Sequence, residues 1–212
     1  MMSNVKKEEV FKVYGKPLEP DFLYALNEAT LKSGKRHIVP GILIEGADQS
    51  FKSSICQKLS IKLNLPVIHH GKTSDKVAEE YDYLNGYFQE IEENPGKSFI
   101  YDRSYLSEIT YGSVIRGFSR ISPELQKQIE DRFHSLGYFL VLLDRPDNSG
   151  DWIQRPEYIK QEQNQAIKEK YREVYETVSL DKMKINPEEE NVVERIIEKW
   201  TNLNSSRHLK VS

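Results

Sequence analysis

The stretch IEGADQSFKSS, residues 44–54, fits the pattern G-x-x-x-x-G-K-[ST] at every fixed position but one: Phe51 stands where the second glycine belongs. Upstream, IVPGIL (residues 38–43) is a short apolar run rich in β-branched residues, which reads as a buried strand. Downstream, Ile55, Leu59 and Leu63 recur at i, i+4 and i+8 while Gln57, Lys58 and Lys62 fall elsewhere, which predicts an amphipathic helix. A strand, a glycine loop and Lys-Ser opening a helix form the context in which this pattern has a mechanism. Backbone N–H groups of residues 47–53 would curl around a β-phosphate at the positive end of the helix, and Gln49, Ser50, Phe51 and Ser54 belong to the same candidate phosphate-binding set. Lys52 would bridge the β- and γ-phosphates and the Ser53 hydroxyl would ligate magnesium. Gly46 supplies the tight exit from the strand. The plainer alternative is a polar strand-to-helix loop with Ser50 as its N-cap. Phe51 poses a backbone question: at positive φ a non-glycine residue costs on the order of 1–2 kcal/mol, whereas an ordinary helical conformation leaves the ring free to point away from the phosphates.

Outward from this loop the chain alternates strands and helices. LPVIHH, SFIYD, YFLVLLD and the short KMKIN read as further strands, and residues 75–93, 105–115, 123–136 and 157–178 as helices. PEEENVVERIIEKW, with Pro187 and three glutamates at its start, predicts a last helix. Strands separated by helices require crossover connections, so the expectation is an α/β fold of three layers around a mostly parallel sheet of about five strands. The domain is expected over residues 40–201. It is preceded by an extension, 1–39, with a possible short helix at 21–31, and followed by a polar tail, 202–212.

A length of 212 residues suits one core. The net charge is −3 with 30 % charged residues, which provides no global attraction to nucleic acid or to an anionic membrane, so any polyanion must be held locally. The single Cys56 excludes an internal disulfide and a cysteine-based zinc site, and reads as a small buried apolar residue. The start MMSNVKKEEVFKVYG carries no apolar signal core, and no apolar run approaches a membrane span, which leads to the expectation of a cytoplasmic protein.

The second informative stretch is FIYDRSYLSEITYG, residues 99–112, where Asp102 and Arg103 end a buried strand and face the crevice in which open parallel sheets bind ligands. A strand-end ion pair is the alternative for these two residues. Together with EGADQSFKSS, this order resembles the thymidylate kinase group of nucleoside monophosphate kinases in the P-loop NTPase superfamily, and is most similar to the compact members that phages encode. The resemblance implies ATP and Mg2+ as cofactors, Asp48 on the acceptor sugar's 3′-hydroxyl, Lys52 and Ser53 on donor phosphates and metal, Asp102 beside the magnesium, and Arg103 on the acceptor's phosphate. It also implies a homodimer through helices between the second and fourth strands. RPDNSGDWIQRPEY follows the fourth strand, where the family places its lid, and residues 145–156 are the candidate: Arg145 and Arg155 could swing over the transferring group, or be ordinary solvated arginines.

His69 and His70 end the second strand, and because adjacent strand residues point to opposite faces at most one reaches the site. His70 is assigned to the acceptor, with Tyr105 of the DRSY motif. Tyr81, Tyr83, Tyr87 and Phe88 could stack an acceptor base, although core packing accounts for most of them. The resulting expectation is a small-molecule nucleotide kinase acting on a pyrimidine deoxynucleoside monophosphate. The alternatives are a deoxynucleoside kinase, for which no acidic residue follows LPVIHHGK before Asp75, a kinase of a modified base in DNA, or a nucleotide-binding protein with an impaired loop.

Overall fold

A computed structural model describes residues 11–14, 41–71, 81–147 and 159–209, the first four by their backbone alone. Six strands make one sheet: β1 (Phe11–Tyr14), β2 (Ile42–Glu45), β3 (Val67–His70), β4 (Ile100–Asp102), β5 (Phe139–Leu143) and β6 (Lys182–Ile185), in the spatial order β1-β3-β4-β2-β5-β6. The five strands β3 to β6 and β2 pair in parallel, and β1 adds to the edge of β3 in antiparallel sense. The expected parallel sheet is therefore present. A sixth strand, the antiparallel β1, was not foreseen, because FKVY lies in the segment expected to be an extension and is too short to carry a period.

Alternation along the strands builds two cores. Leu43, Ile68, Tyr101, Leu140 and Leu142 face α4 (Tyr105–Tyr111), α5 (Pro123–Ser135) and α6 (Gln161–Thr177), through Leu106, Ile129, Phe133, Ile167 and Tyr171. Ile42, Ile44, Ile100, Phe139 and Val141 face α1 (Lys52–Leu63) and α7 (Val192–Leu209), through Ile55, Leu59, Val193 and Ile196. Successive strand residues point to opposite faces, so a sheet whose strands are apolar at both parities has to be covered twice. Cys56 is buried in the second core, as its sequence neighbours suggest.

Three expected elements differ in detail. In place of one helix over 75–93, the described part carries two short ones, α2 (Tyr83–Gly86) and α3 (Gln89–Glu93). Asp82 caps the first, and Tyr87 and Phe88 turn inward between them to be buried. The helix expected over 105–115 leaves α geometry after Tyr111 and continues as a π-helical turn, Gly112–Arg116. Residues 187–191 form a turn rather than the start of the last helix, while α7 continues to Leu209 through most of the expected tail. The candidate helix at 21–31 and most of the lid candidate lie outside the described residues. Among the described residues no helix is long and apolar enough to cross a membrane.

Candidate active site

β2 and β4 are neighbours, with Ile44 opposite Asp102, and their carboxyl ends bring the two sequence motifs together. The exit from β2 needs Gly46: its φ is +151°, and a Cβ there would meet Leu143 O and Ser50 Oγ, each at 2.7 Å. Two further loop residues take left-handed conformations, Gln49 and Phe51, both at φ 60°. Phe51 is thus strained, by roughly 1–2 kcal/mol for a side chain with a Cβ. Its ring points outward and the residue is 47 % exposed, so the benzyl group does not fill the loop.

Inside the loop, the buried Lys52 ammonium donates to Ala47 O at 2.5 Å and to Ser50 Oγ at 3.2 Å. Burial and then the neighbouring Arg103 charge pull its pKa down to about 7, against Asp102, Asp48 and Glu45. A polyphosphate beside it would oppose that pull, since an adjacent anion favours the protonated form. Ser53 Oγ donates to Asp102 Oδ2 at 2.6 Å, and the same oxygen lies 2.9 Å from His69 Nδ1. Burial pushes the Asp102 carboxyl up, but the contacts with His69, Ser53 and Lys52 outweigh it and hold it below its ordinary value. Asp102 Oδ1 is buried without a hydrogen-bond partner among the described residues. A hydroxyl and a carboxylate at this separation, one carboxylate oxygen unspent, suit a hard divalent cation such as Mg2+, which takes one or two protein oxygens and completes its shell with water and phosphate. Among the described residues no cluster of three or more His, Cys, Asp or Glu forms a self-sufficient metal cage.

On the other side of the loop, Arg103 Nη2 and the Tyr111 hydroxyl both donate to Asp48 Oδ1, each at 2.8 Å, and the Arg103 guanidinium lies 5.0 Å above the Tyr111 ring. Burial raises the Asp48 carboxyl; Arg103, Lys52 and the Tyr111 hydroxyl together lower it further than burial raises it. Arg103 itself has φ 75°. Its N–H donates to Ile44 O at 3.0 Å, and the next residue is anchored to Glu45.

Glu45 is fully buried at the end of β2. Its Oε1 accepts Ser104 N–H at 2.6 Å and Ser104 Oγ at 2.7 Å, and its Oε2 accepts Ser107 Oγ at 2.7 Å and Tyr171 Oη at 3.0 Å. A carboxylate at the first turn of α4 satisfies backbone donors that the helix leaves open and fixes where Arg103 points. Sequence reasoning missed Glu45 and Tyr111. The available signal was strand parity: Glu45 shares the face of Leu43, which covers α4 and α6, so a charge there must find several donors.

Lys52, Ser53, Asp102, Arg103 and Asp48 are thus brought together at the carboxyl ends of β2 and β4. Three other candidates lie apart from this group. Tyr105 is fully buried, with its hydroxyl donating to Glu130 Oε1 at 2.9 Å; one helical turn before Ile109, it belongs to the core face of α4. Arg145 turns toward the opposite flank of the loop, where its Nε donates to Glu188 Oε1 at 2.8 Å and its guanidinium covers Phe51. His70 is wedged against the rings of Tyr87 and Tyr101, and burial lowers its pKa to about 3, so it presents a neutral imidazole. Of the pair, His69 is the one that touches a motif residue. Arg155 lies outside the described residues.

No family model matches the sequence. The chain is 26 % identical over 141 residues, 66 % of its length and 84 % of the relative's, to YorR, an uncharacterized SPbeta prophage-derived protein of Bacillus subtilis. The crystal structure of YorR in complex with phosphorylated GDP is similar with a TM-score of 0.59 at 24 % identity, over 79 % of this chain and 96 % of that one. Polyphosphate kinase 2 from Arthrobacter aurescens TC1 is similar with a TM-score of 0.53 at 16 % identity, over 88 % and 75 %. Deoxyadenosine kinase from M. mycoides with bound dATP follows with 0.51 at 16 %, over 76 % and 99 %. At these identities the likeness is one of fold: the chain shares the three-layer α/β architecture of these structures.

Proposed function

We propose that the chain is an ATP-dependent phosphotransferase that moves the γ-phosphoryl of ATP to a pyrimidine deoxynucleoside monophosphate. The observation that carries this reading is the meeting of Lys52, Ser53 and Asp102 on one side of the loop with Arg103 and Asp48 beside it. Transfer between two polyanions asks for positioning and for cancellation of charge, and needs no nucleophilic side chain. Lys52 follows the transferring phosphoryl, and the loop N–H groups hold the phosphates that stay behind. Ser53 and Asp102 would hold Mg2+, which would offset the negative charge of the phosphates. Arg103 supplies a planar, two-pronged donor for a phosphate already on the acceptor, and Asp48 supplies an acceptor for the hydroxyl of its sugar. Arg155 and the homodimer, both implied by the resemblance to thymidylate kinases, belong to the same proposal.

The test is steady-state kinetics with magnesium-ATP and matched thymidine, thymidine monophosphate, other mononucleotides and DNA. Thymidine monophosphate is the preferred acceptor, and Arg103→Ala raises its apparent KM by about 100-fold while the KM for ATP stays within about threefold. Preference of the wild-type protein for thymidine would replace this reading with a nucleoside kinase, and preference for DNA with a DNA-directed one.

A further inference from the structure

Phe51 is the one position at which the loop departs from its pattern, and its surroundings are unlike those of a tolerated accident. The left-handed backbone (φ 60°, ψ 17°) turns the ring away from the loop interior. Arg145 lies across it, with the guanidinium carbon 5.2 Å from the ring centroid. Arg145 is itself fixed: Nε donates to Glu188 Oε1 at 2.8 Å, Nη1 reaches Gln49 O at 3.5 Å, and the side chain is only 14 % exposed. The segments that follow β2, β5 and β6 therefore meet at one planar cation laid against the ring of a residue that remains 47 % exposed.

The sheet order gives this cluster a direction. β4 and β3 lie on one side of β2, and β5 and β6 lie on the other. Asp102 and Arg103 stand on the β4 side, so the transferring end of a phosphate chain seated in the loop faces that way. The remainder of the donor has to leave over the ends of β5 and β6, where the open face of Phe51 stands. An aromatic ring backed by a guanidinium is a stacking surface for another π-system.

We propose that Phe51, backed by Arg145, is the stacking surface for the nucleobase of the phosphoryl donor. The inference rests on reading the loop as a nucleoside triphosphate site and deepens it: the residue that breaks the glycine pattern is a donor-binding residue. Stacking recognises the face of a base, and every base has one. The donor class is therefore nucleoside triphosphates with little discrimination between adenine and guanine.

Isothermal titration of wild type, Phe51→Leu and Phe51→Tyr with magnesium-ATP, magnesium-GTP and inorganic tripolyphosphate tests this. Leucine keeps the strain and the apolar character but removes the π-face, and the position is exposed enough that neither substitution threatens folding. The expected result is that wild type binds ATP and GTP within about fivefold of each other, and Phe51→Leu weakens both by about tenfold. Tripolyphosphate stays within about twofold, and Phe51→Tyr retains both nucleotides. Equal losses for all three ligands would overturn the proposal, because the ring would then be acting on the loop; so would unchanged nucleotide binding in Phe51→Leu. If wild type binds tripolyphosphate while nucleotides gain nothing over it, only the stacking fails. If wild type binds none of the three, the phosphate-loop reading falls with it.

Discussion

Ser53 Oγ donates to Asp102 Oδ2 at 2.6 Å, which ties the first turn of α1 to the end of β4 across the mouth of the sheet. Both atoms are hard oxygens, and Asp102 keeps its second oxygen buried and unspent among the described residues. Asp102→Asn should leave the hydrogen bond from Ser53 in place while removing the carboxylate charge from the site. The expected outcome is a loss of ATP turnover of about 100-fold, on the order of 3 kcal/mol, with nucleotide affinity in EDTA unchanged. Chelation of Mg2+ should bring wild type down to the same level, and turnover that survives EDTA would show that this pair is structural only.

Phe51 sits at φ 60°, a conformation that favours glycine. Phe51→Gly should therefore stabilise the folded protein by roughly 1 kcal/mol after the lost contact with Arg145 is deducted, a rise in Tm of about 2–4 °C. ATP affinity should fall by about tenfold, because the stacking surface is lost with the ring. Thermal denaturation and calorimetry on the same preparation separate the two effects. A fall in Tm would mean that the ring supports the loop more than the backbone strain opposes it.

Glu45 gathers four donors from Ser104, Ser107 and Tyr171. Glu45→Ala deprives the buried Ser104 N–H and hydroxyl of their acceptor and leaves the Ser107 and Tyr171 hydroxyls only each other, and should destabilise the protein by about 3 kcal/mol in urea denaturation with an unchanged m-value. Glu45→Gln retains part of the network and should cost less. If the turnover of Glu45→Gln falls while its affinity for ATP holds, Glu45 positions Arg103 through Ser104; a drop in stability alone would confine it to the fold.

β2 to β5 were legible because each lies in a short apolar run closed by Gly or a charge, and because the period changes from strand to helix at the loop; β6 was legible from the alternation of Lys182 and Lys184 with Met183 and Ile185 before Pro187. β1 was not legible, since FKVY has neither length nor period and is defined only by its pairing with VIHH. Lys52, Ser53, Asp102 and Arg103 were visible because their positions are set by local motif context. Tyr105 was misplaced for a related reason: adjacency to Arg103 in sequence says nothing about which face of α4 it occupies, and its partner Glu130 is contributed by another helix. Glu45 and Tyr111 act through residues far along the chain, Tyr171 and Asp48, so no local pattern announces them. Arg145 was recognised as a candidate, but its direction depends on Glu188, which only the packing of β5 against β6 brings near.

The central claim is that the loop with Phe51 is a working phosphoryl-transfer site, and Lys52→Met tests it most directly. Lys52 is buried with its ammonium turned into the loop, and methionine is similar in length without the charge. Initial rates of ADP formation by wild type and Lys52→Met, at saturating magnesium-ATP with thymidine monophosphate, should differ by about 100-fold or more, on the order of 3 kcal/mol. Circular dichroism of the two proteins should coincide. Near-equal rates in correctly folded Lys52→Met would contradict the account.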